Sequence, residues 1–527
     1  MAVVAFLAVV GGFVVFGLSR TVSRSSRPTA VAPPIPPTSS TLPSTSPSSS
    51  AAVPPTSPGD LSAGAPSSPP APVCGNASAL SGPAVPPPGA VVVAQGDDST
   101  VNWNRPGATF WFEGGTHTLG PSGFSQIVPA TGAIFVGAPG AVIDGQGINY
   151  SAFTTKVTGV TVEFLTIQHF NSPGDQGVVN HDSGDGWSIR HNTITANHGA
   201  ATMIGSGNTV AYNCLSNNGQ YGFNAYSLSG GPRGVVMDHN EITGNNTDDL
   251  EAKQPGCGCT GGGKFWQTVD ATVTNNYVHD NRGVGLWADG DNVGFDAEGN
   301  YISGNDAEGL VYEVSYNALI RDNTFVRNNL VKGPRIDGFP GGALYVSESG
   351  GDPRVASPRG YATVDISANV FTDNWDGVVL WENADRFCGN GEAKFCTLVN
   401  PSVANLGTCV AGRIEQAPLY SDCRWKTQNV MVHDNTFTIT KAHITGCGSA
   451  RTCGDQGLFS NFGTYPAFSP YRAAIIQDAI AFSQNNRFFN NTYNGEWHFV
   501  AHSRDTVLDF RTWQSGRYHQ DVGSTIH

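Results

Sequence analysis

Two phrases, NRGVGLWAD (281–289) and NDAEGLVYE (305–313), lie 24 residues apart, and each ends in a carboxylate. Aligned on their asparagines, Asp289 and Glu313 fall at the same place. If the two copies stack as neighbouring strands, the acids come within about 5 Å at the backbone. A pair that close cannot ionise twice without cost, so one member is pushed toward its neutral form and becomes a general-acid candidate. Carboxyl groups about 5–5.5 Å apart suit a retaining glycosidase, and a wider gap suits inversion. The same oxygens can instead hold Ca²⁺, with Lys253, Lys264 or Arg282 as the base or charge clamp of a β-elimination. The bland alternative is a pair of solvated acids on an exposed strand face, although like charges stacked across strands are unfavourable.

The elements that must position these acids are written in a repeat. Asn-x-apolar-x-x-Asn recurs with its first Asn at 192, 213, 240, 276, 300, 323, 369 and 486, and NTFTIT at 435 keeps only the first Asn. The base unit is about 22 residues with insertions, and an apolar residue usually stands three before the first Asn. No helical period lies between copies, so each unit reads as three short strands separated by Asn turns. Asn tolerates left-handed backbone angles, and amides on successive turns can bond one another as a ladder. One coil cannot bury its apolar side, whereas stacked coils share a continuous core. Propeller blades need about 40 residues and horseshoes need a Leu consensus. The expected fold is all-β: a right-handed parallel β-helix with Asn-ladder turns and coils about 4.8 Å apart.

Counting from the second Asn places side chains on faces. Positions five and seven on are apolar or small (Phe223 and Ala225, Leu286 and Ala288, Leu310 and Tyr312, Val379 and Trp381) and are expected inside. The position eight on is then outside and reads Tyr226, Lys253, Asp289, Glu313 and Glu382. Trp287, at position six on the same face, suits stacking on a sugar ring. Long insertions surround this strand: KQPGCGCTGGGKFWQ after Lys253, LVKGPRIDGFPGG, and the Cys-rich stretch 388–423 after Glu382. Such loops in a compact repeat are usually functional walls. The expected catalytic set is Asp289, Glu313, Glu382 and Lys253, with Trp287, Tyr226, Lys264 and Arg282 as binding residues. Elsewhere the signals are weaker. Cys257 and Cys259 read as a disulfide-tied loop rather than a metal site, and His169, His198 and His279 as turn or surface residues.

Beyond the repeat, GGGKFWQT, GLWADGDN, VVLWENADRFC, CRWKTQNV and WQSGRYHQDVGST resemble exported bacterial β-helix proteins without an assigned activity, within the pectate-lyase-like superfamily. The resemblance covers about residues 90–500. It implies that the sheet carrying the acids bears the groove, and that the protein acts on polysaccharide. It does not choose among lyase, hydrolase and epimerase, or a non-catalytic glycan-binding surface protein, because one fold hosts many activities.

Composition sets the compartment. Ala2–Leu18 is an uninterrupted apolar run, so residues 1–27 read as an export signal or membrane anchor. Residues 28–72, rich in Pro, Ser and Thr, read as a disordered spacer, and 73–527 as the β-helix. The chain carries −14, and residues 1–72 hold three Arg and one Asp, which leaves −16 on the remainder. That opposes nucleic-acid binding but leaves room for a local basic spot. Cys388, Cys396, Cys409, Cys423, Cys447 and Cys453 read as disulfides of an oxidising compartment. The expected protein is an extracellular or cell-surface monomer, touching membrane only through its N-terminal segment. No cofactor is required by the sequence, and Ca²⁺ is the one option.

Overall fold

A three-residue strand such as Thr193–Thr195 (TIT) has one side chain, Ile194, that can be fully buried while its neighbours stay half-buried. So short a strand gains little alone, and its stability comes from identical strands above and below. Ile194 pairs in register with Ile167 and Leu215, all of them sealed from solvent. Burying each such side chain contributes about 1.5–3 kcal/mol.

The computed structural model describes residues 64–227, 230–253, 261–335, 341–382, 426–449, 452–461, 478–503 and 506–527. Each coil visits three parallel sheets in turn. The first sheet runs from Val91–Val93 to Arg487–Phe489, and the second from Gly96–Asp97 to Thr525–Ile526. The third begins only at Gly177–Val179. Among the described residues all pairings of strands are parallel except His498–Ser503 with Val507–Leu508, which closes the third sheet. One core of Val, Ile, Leu and Phe side chains runs through the coils from Val93 to Trp513. The fold is therefore the expected parallel β-helix.

Both Asn corners are ladders. Asn213, fully buried, donates from Nδ2 to Asn240 Oδ1 at 3.0 Å and to the carbonyls of Ile189 and Ala211. Its own Oδ1 accepts from the backbone and side chain of Asn192, each at 3.0 Å. Every polar atom of the buried amide is thus satisfied, as burial requires. A second ladder links Asn197, Asn218, Asn245, Asn281, Asn305, Asn328 and Asn374. The left-handed residue, however, is the one before each ladder Asn: His191, Tyr212 and His239 at the first corner, Ala196, Asn217 and Asp280 at the second. Asn is needed for its amide, not for its backbone. The last copy also shifts frame. Asn435 bonds Asn491 rather than Asn486, and Arg487–Phe489 belongs to the first sheet.

Before winding begins, the chain runs along the outside. Pro66 O accepts from Thr324 Oγ1 at 2.6 Å, and Val73 N and Cys74 N donate to Glu241 Oε2 at 2.7 and 2.8 Å. Cys74 is disulfide-bonded to Cys214, and Ala79 O meets His191 Nδ1 at 2.9 Å. Residues 64–80 thus strap the second sheet against the direction in which the coils advance. Cys447 pairs with Cys453. Cys388, Cys396, Cys409, Cys423, Cys257, Cys259 and the run Ala2–Leu18 lie outside the described residues. Among the described residues no helix is long and apolar enough to cross a membrane.

Candidate functional site

The corner before the third sheet is narrow. A Cβ added to Gly262 would stand 2.4 Å from Gly285 O, one on Gly285 2.5 Å from Gly309 O, and one on Gly377 2.2 Å from Gln456 Nε2. This row of glycines lets successive coils approach closely and fixes the register of the strands that follow. Gly261–Trp266, Val284–Asp289 and Leu310–Glu313 then pair with Lys264 opposite Trp287, Trp266 opposite Asp289, and Asp289 opposite Glu313. Leu286, Ala288, Leu310 and Tyr312 point into the core. The alternate residues form the outer face.

On that face the two acids are neighbours in register, each with its own partner. Lys264 Nζ lies 2.8 Å from Asp289 Oδ2. The ammonium also sits over the rings of Trp266 and Trp287, at 4.5 and 4.2 Å from their centroids. Trp287 Nε1 donates to Glu313 Oε2 at 2.9 Å. Glu313 is 3 % exposed, and Lys264 is as buried. An ammonium between two indole faces is held by both rings and by its counter-ion. The indole N–H fixes the orientation of the neighbouring carboxylate. Beyond Glu313 the outer face turns apolar: Val311, Tyr345, Val379 and Trp381 form one buried cluster, with Trp287 packed at its edge.

The structure brings Asp289, Glu313, Trp287 and Lys264 together. Tyr226 directly follows Phe223–Ala225, whose Ala225 pairs with Phe265, so it continues the line of Trp266. Two other expectations, Lys253 and Glu382, are corrected in position. Lys253 ends a short helix, Leu250–Lys253, and the sheet position assigned to it belongs to Trp266. Glu382 lies past the end of Val378–Trp381, and Ser347 opposite Trp381 continues the column from Glu313. The cause is a corner one residue shorter: Val378 and Leu380 face the core, while Val379 and Trp381, expected inside, face out. Glu382 is buried and accepts from Thr427 N at 2.8 Å and Gln484 Nε2 at 2.6 Å. Arg282 sits at the corner before its strand, near Asp306. Burial raises the Asp306 carboxyl above its usual value, against the pull of Lys332, Arg282 and Arg335.

Trp266 was missed because the insertion after Asn245 spoils a count from Asn. Counting four residues from the corner glycine succeeds: Gly222, Gly262, Gly285, Gly309 and Gly377 lead to Tyr226, Trp266, Asp289, Glu313 and Trp381. Of the oxygens offered to Ca²⁺, Asp289 Oδ2 stands beside the Lys264 ammonium and Glu313 Oε2 accepts from the Trp287 indole, and among the described residues no three His, Cys, Asp or Glu side chains group to hold a metal.

Residues 176–359 match the family model described as "Right handed beta helix region". No curated protein matches the chain. Among solved structures, the catalytic unit of a GH87 α-1,3-glucanase from Streptomyces thermodiastaticus is 15% identical, with a TM-score of 0.46, over 80% of this chain and 66% of that one. A mannuronic acid specific polysaccharide family 6 lyase from human gut microbiota is 10% identical, with a TM-score of 0.45, over 78% and 83%. The A-module of Azotobacter vinelandii mannuronan C-5 epimerase is 11% identical, with a TM-score of 0.32, over 75% and 90%. Likeness of this order decides nothing about activity. Together with the three stacked sheets, the matched family model makes the fold a right-handed parallel β-helix.

Proposed function

We propose that the protein binds a polysaccharide along the outer face of the third sheet and cleaves its glycosidic bonds there. The observation that carries this reading is the register pairing of Asp289 with Glu313, each held by a separate partner on a face that also presents Trp266 and Trp287. In this reading Asp289, held by Lys264, is the carboxylate partner, and Glu313, shielded from solvent and oriented by the Trp287 indole, is the residue that hands a proton to the leaving oxygen. Two carboxylates on adjacent coils are the minimal apparatus of glycoside hydrolysis, and indole faces are apolar platforms for pyranose rings. The Cys74–Cys214 and Cys447–Cys453 disulfides support work outside the cytoplasm.

The test is turnover of a polysaccharide panel by the purified chain, with Glu313→Gln and Asp289→Asn alongside. New reducing ends that vanish in both variants support hydrolysis. An unsaturated, ultraviolet-absorbing product would replace hydrolysis by elimination with Lys264 as the base. Glycan binding that persists in every variant, with no product of either kind, would leave a binding protein and end the enzymatic reading.

A further inference from the structure

The second Asn ladder stops at Asn197. Its Oδ1 accepts from Phe170 N at 2.9 Å, and on the coil beneath, Phe170 stands where the next amide would be. At this corner a cavity of about 420 Å³ opens beside His169, Ala196 and His198, with Gln146 from the coil below. Both histidines are exposed, and the proposed reaction uses neither.

Each ring is tethered through one nitrogen to a carboxylate, and the two tethers pull in opposite directions. Asp144 lies on the coil below His169, in register with Gln168, and its Oδ2 is 2.9 Å from His169 Nδ1. Asp248 lies two coils above His198, and its Oδ2 is 2.7 Å from His198 Nδ1. Gly219, on the coil between, makes that reach possible: a Cβ there would stand 2.3 Å from Asp248 Oδ2 and 3.0 Å from the His198 Cα. Burial alone would raise Asp144, but bonds from the Gln168 side chain, the Gln146 amide and His169 outweigh it and hold the carboxyl below its usual value. An ionised carboxylate only accepts, so Nδ1 donates, and Nε2 of a neutral imidazole keeps its lone pair.

Neither Nε2 has a hydrogen-bond partner among the described residues. Because one tether lies below His169 and the other above His198, both Nε2 atoms are turned toward the gap between the coils. His198 pairs with Asn171, so His169 lies one coil down and two residues back. That diagonal is about 8 Å at the backbone, a span two imidazoles can close on one ion. Ala196, bonded by its carbonyl to His169 N, is too small to fill the gap.

We propose that this corner binds one divalent first-row transition-metal ion, of the Zn²⁺, Cu²⁺ and Ni²⁺ class, through Nε2 of His169 and Nε2 of His198. Imidazole nitrogen suits these ions, whereas Mg²⁺ and Ca²⁺ take oxygen. A carboxylate behind a metal-bound imidazole fixes its tautomer and raises its basicity, and here each ring has one in place. With two donors from the chain, the ion keeps open positions for water. It joins two coils where the amide ladder has ended, and so staples them in the ladder's place. His279 and His433 differ, because both nitrogens of each ring face carboxylates.

The experiment titrates the chelator-treated full chain with zinc chloride by calorimetry, at a pH above the histidine range, with magnesium chloride as the hard-ion control. One-to-one zinc binding is expected, and none of magnesium. His169→Ala and His198→Ala, both exposed positions, should each weaken it about 100-fold with unchanged metal-free melting. Asp248→Asn should weaken it about tenfold through the ring it positions. His239→Ala should bind as the parent does, since that ring has a similar tether to Asp238 but stacks on Tyr212 rather than facing a second histidine. Zinc should raise the melting midpoint of the parent and not of His198→Ala. The proposal is overturned if zinc fails to bind, if magnesium binds equally, or if either histidine or the Asp248 carboxylate can be removed without loss of affinity. Glu313→Gln should bind zinc as the parent does, so this test stands or falls apart from the groove.

Discussion

The outer faces of the second and third sheets are built by the same rule and used differently. On both, an acid stands in contact with a side chain from a neighbouring coil: Glu241 with His279 at 3.1 Å, and Asp289 with Lys264 at 2.8 Å. On the second sheet, however, the spare oxygen of Glu241 is taken by the backbone of Val73 and Cys74. The chain itself occupies that face. On the third sheet Glu313 is held by an indole, with two further aromatic and charged side chains alongside. Stacked acids alone thus make no site. What they face decides whether they clamp the chain or attend a ligand.

The comparison breaks most visibly if activity ignores the distinction. Glu313→Gln should lower turnover about 10²–10⁴-fold, the usual share of a general acid. Glu241→Gln should leave turnover within about twofold. Initial rates on a cleaved polysaccharide check both, and equal losses would dissolve the difference between the faces. The reverse asymmetry should appear in stability. Cys74 and Cys214 are separated by 140 residues. Replacing both by Ser should cost on the order of 3–5 kcal/mol, read as a lower denaturation midpoint, while the rate per folded molecule stays unchanged.

A third change tests the corner peculiar to the third sheet. Gly285→Ala would place a methyl 2.5 Å from Gly309 O, which must move. Overpacking of this kind costs about 1–3 kcal/mol, and because the shift displaces Asp289 against Glu313, turnover should fall with it. Chemical denaturation alongside kinetics checks this. If stability falls and turnover does not, the register of the two acids is irrelevant to the reaction.

That glycine row also marks how far the site could be read from sequence. The Asn ladder declares the fold because each buried amide has only one arrangement that satisfies it, on the coil above and the coil below. Asp289 and Glu313 were legible because their coils have equal corners. Lys253 and Glu382 were not, since one coil carries an insertion and the other is a residue short, and a one-residue slip turns a strand over. Trp266 was hidden for the same reason. The strap over Glu241 was beyond reach, because nothing local in a Pro-rich stretch says which distant carboxylate its amides will meet.

The strap should also be pH-dependent in a way the groove is not obliged to share. Burial alone would raise Glu241, but the bonds from His279 and from the amides of Cys74 and Val73 outweigh it and hold the carboxyl below its usual value. That contribution is present above the unfolded carboxylate pKa and is lost as pH falls through the lowered one. For His279, burial is outweighed by Glu241 and Asp280, so its pKa is raised. Its contribution is present below the unfolded histidine pKa and is lost as pH rises through the raised one. The strap should therefore hold best between the two, with protease access to residues 64–80 rising on both sides. Glu241→Gln should flatten that profile.

The smallest expected effect is the sharpest probe of the third-sheet face. Trp266→Phe keeps an aromatic ring under the Lys264 ammonium but removes the stronger indole quadrupole. The Lys264–Asp289 ion pair remains, so the ammonium stays in place with weaker support, of about 0.5–1 kcal/mol for a cation–π contact at a partly open site. If Trp266 also carries a sugar ring, the change should raise KM by a few-fold and leave kcat near the parent value, because a platform binds substrate and transition state alike. A fall in kcat with KM unchanged would instead place Trp266 in the reaction through Lys264. The inner face of the groove would then extend one coil further toward Tyr226 than the two acids alone require.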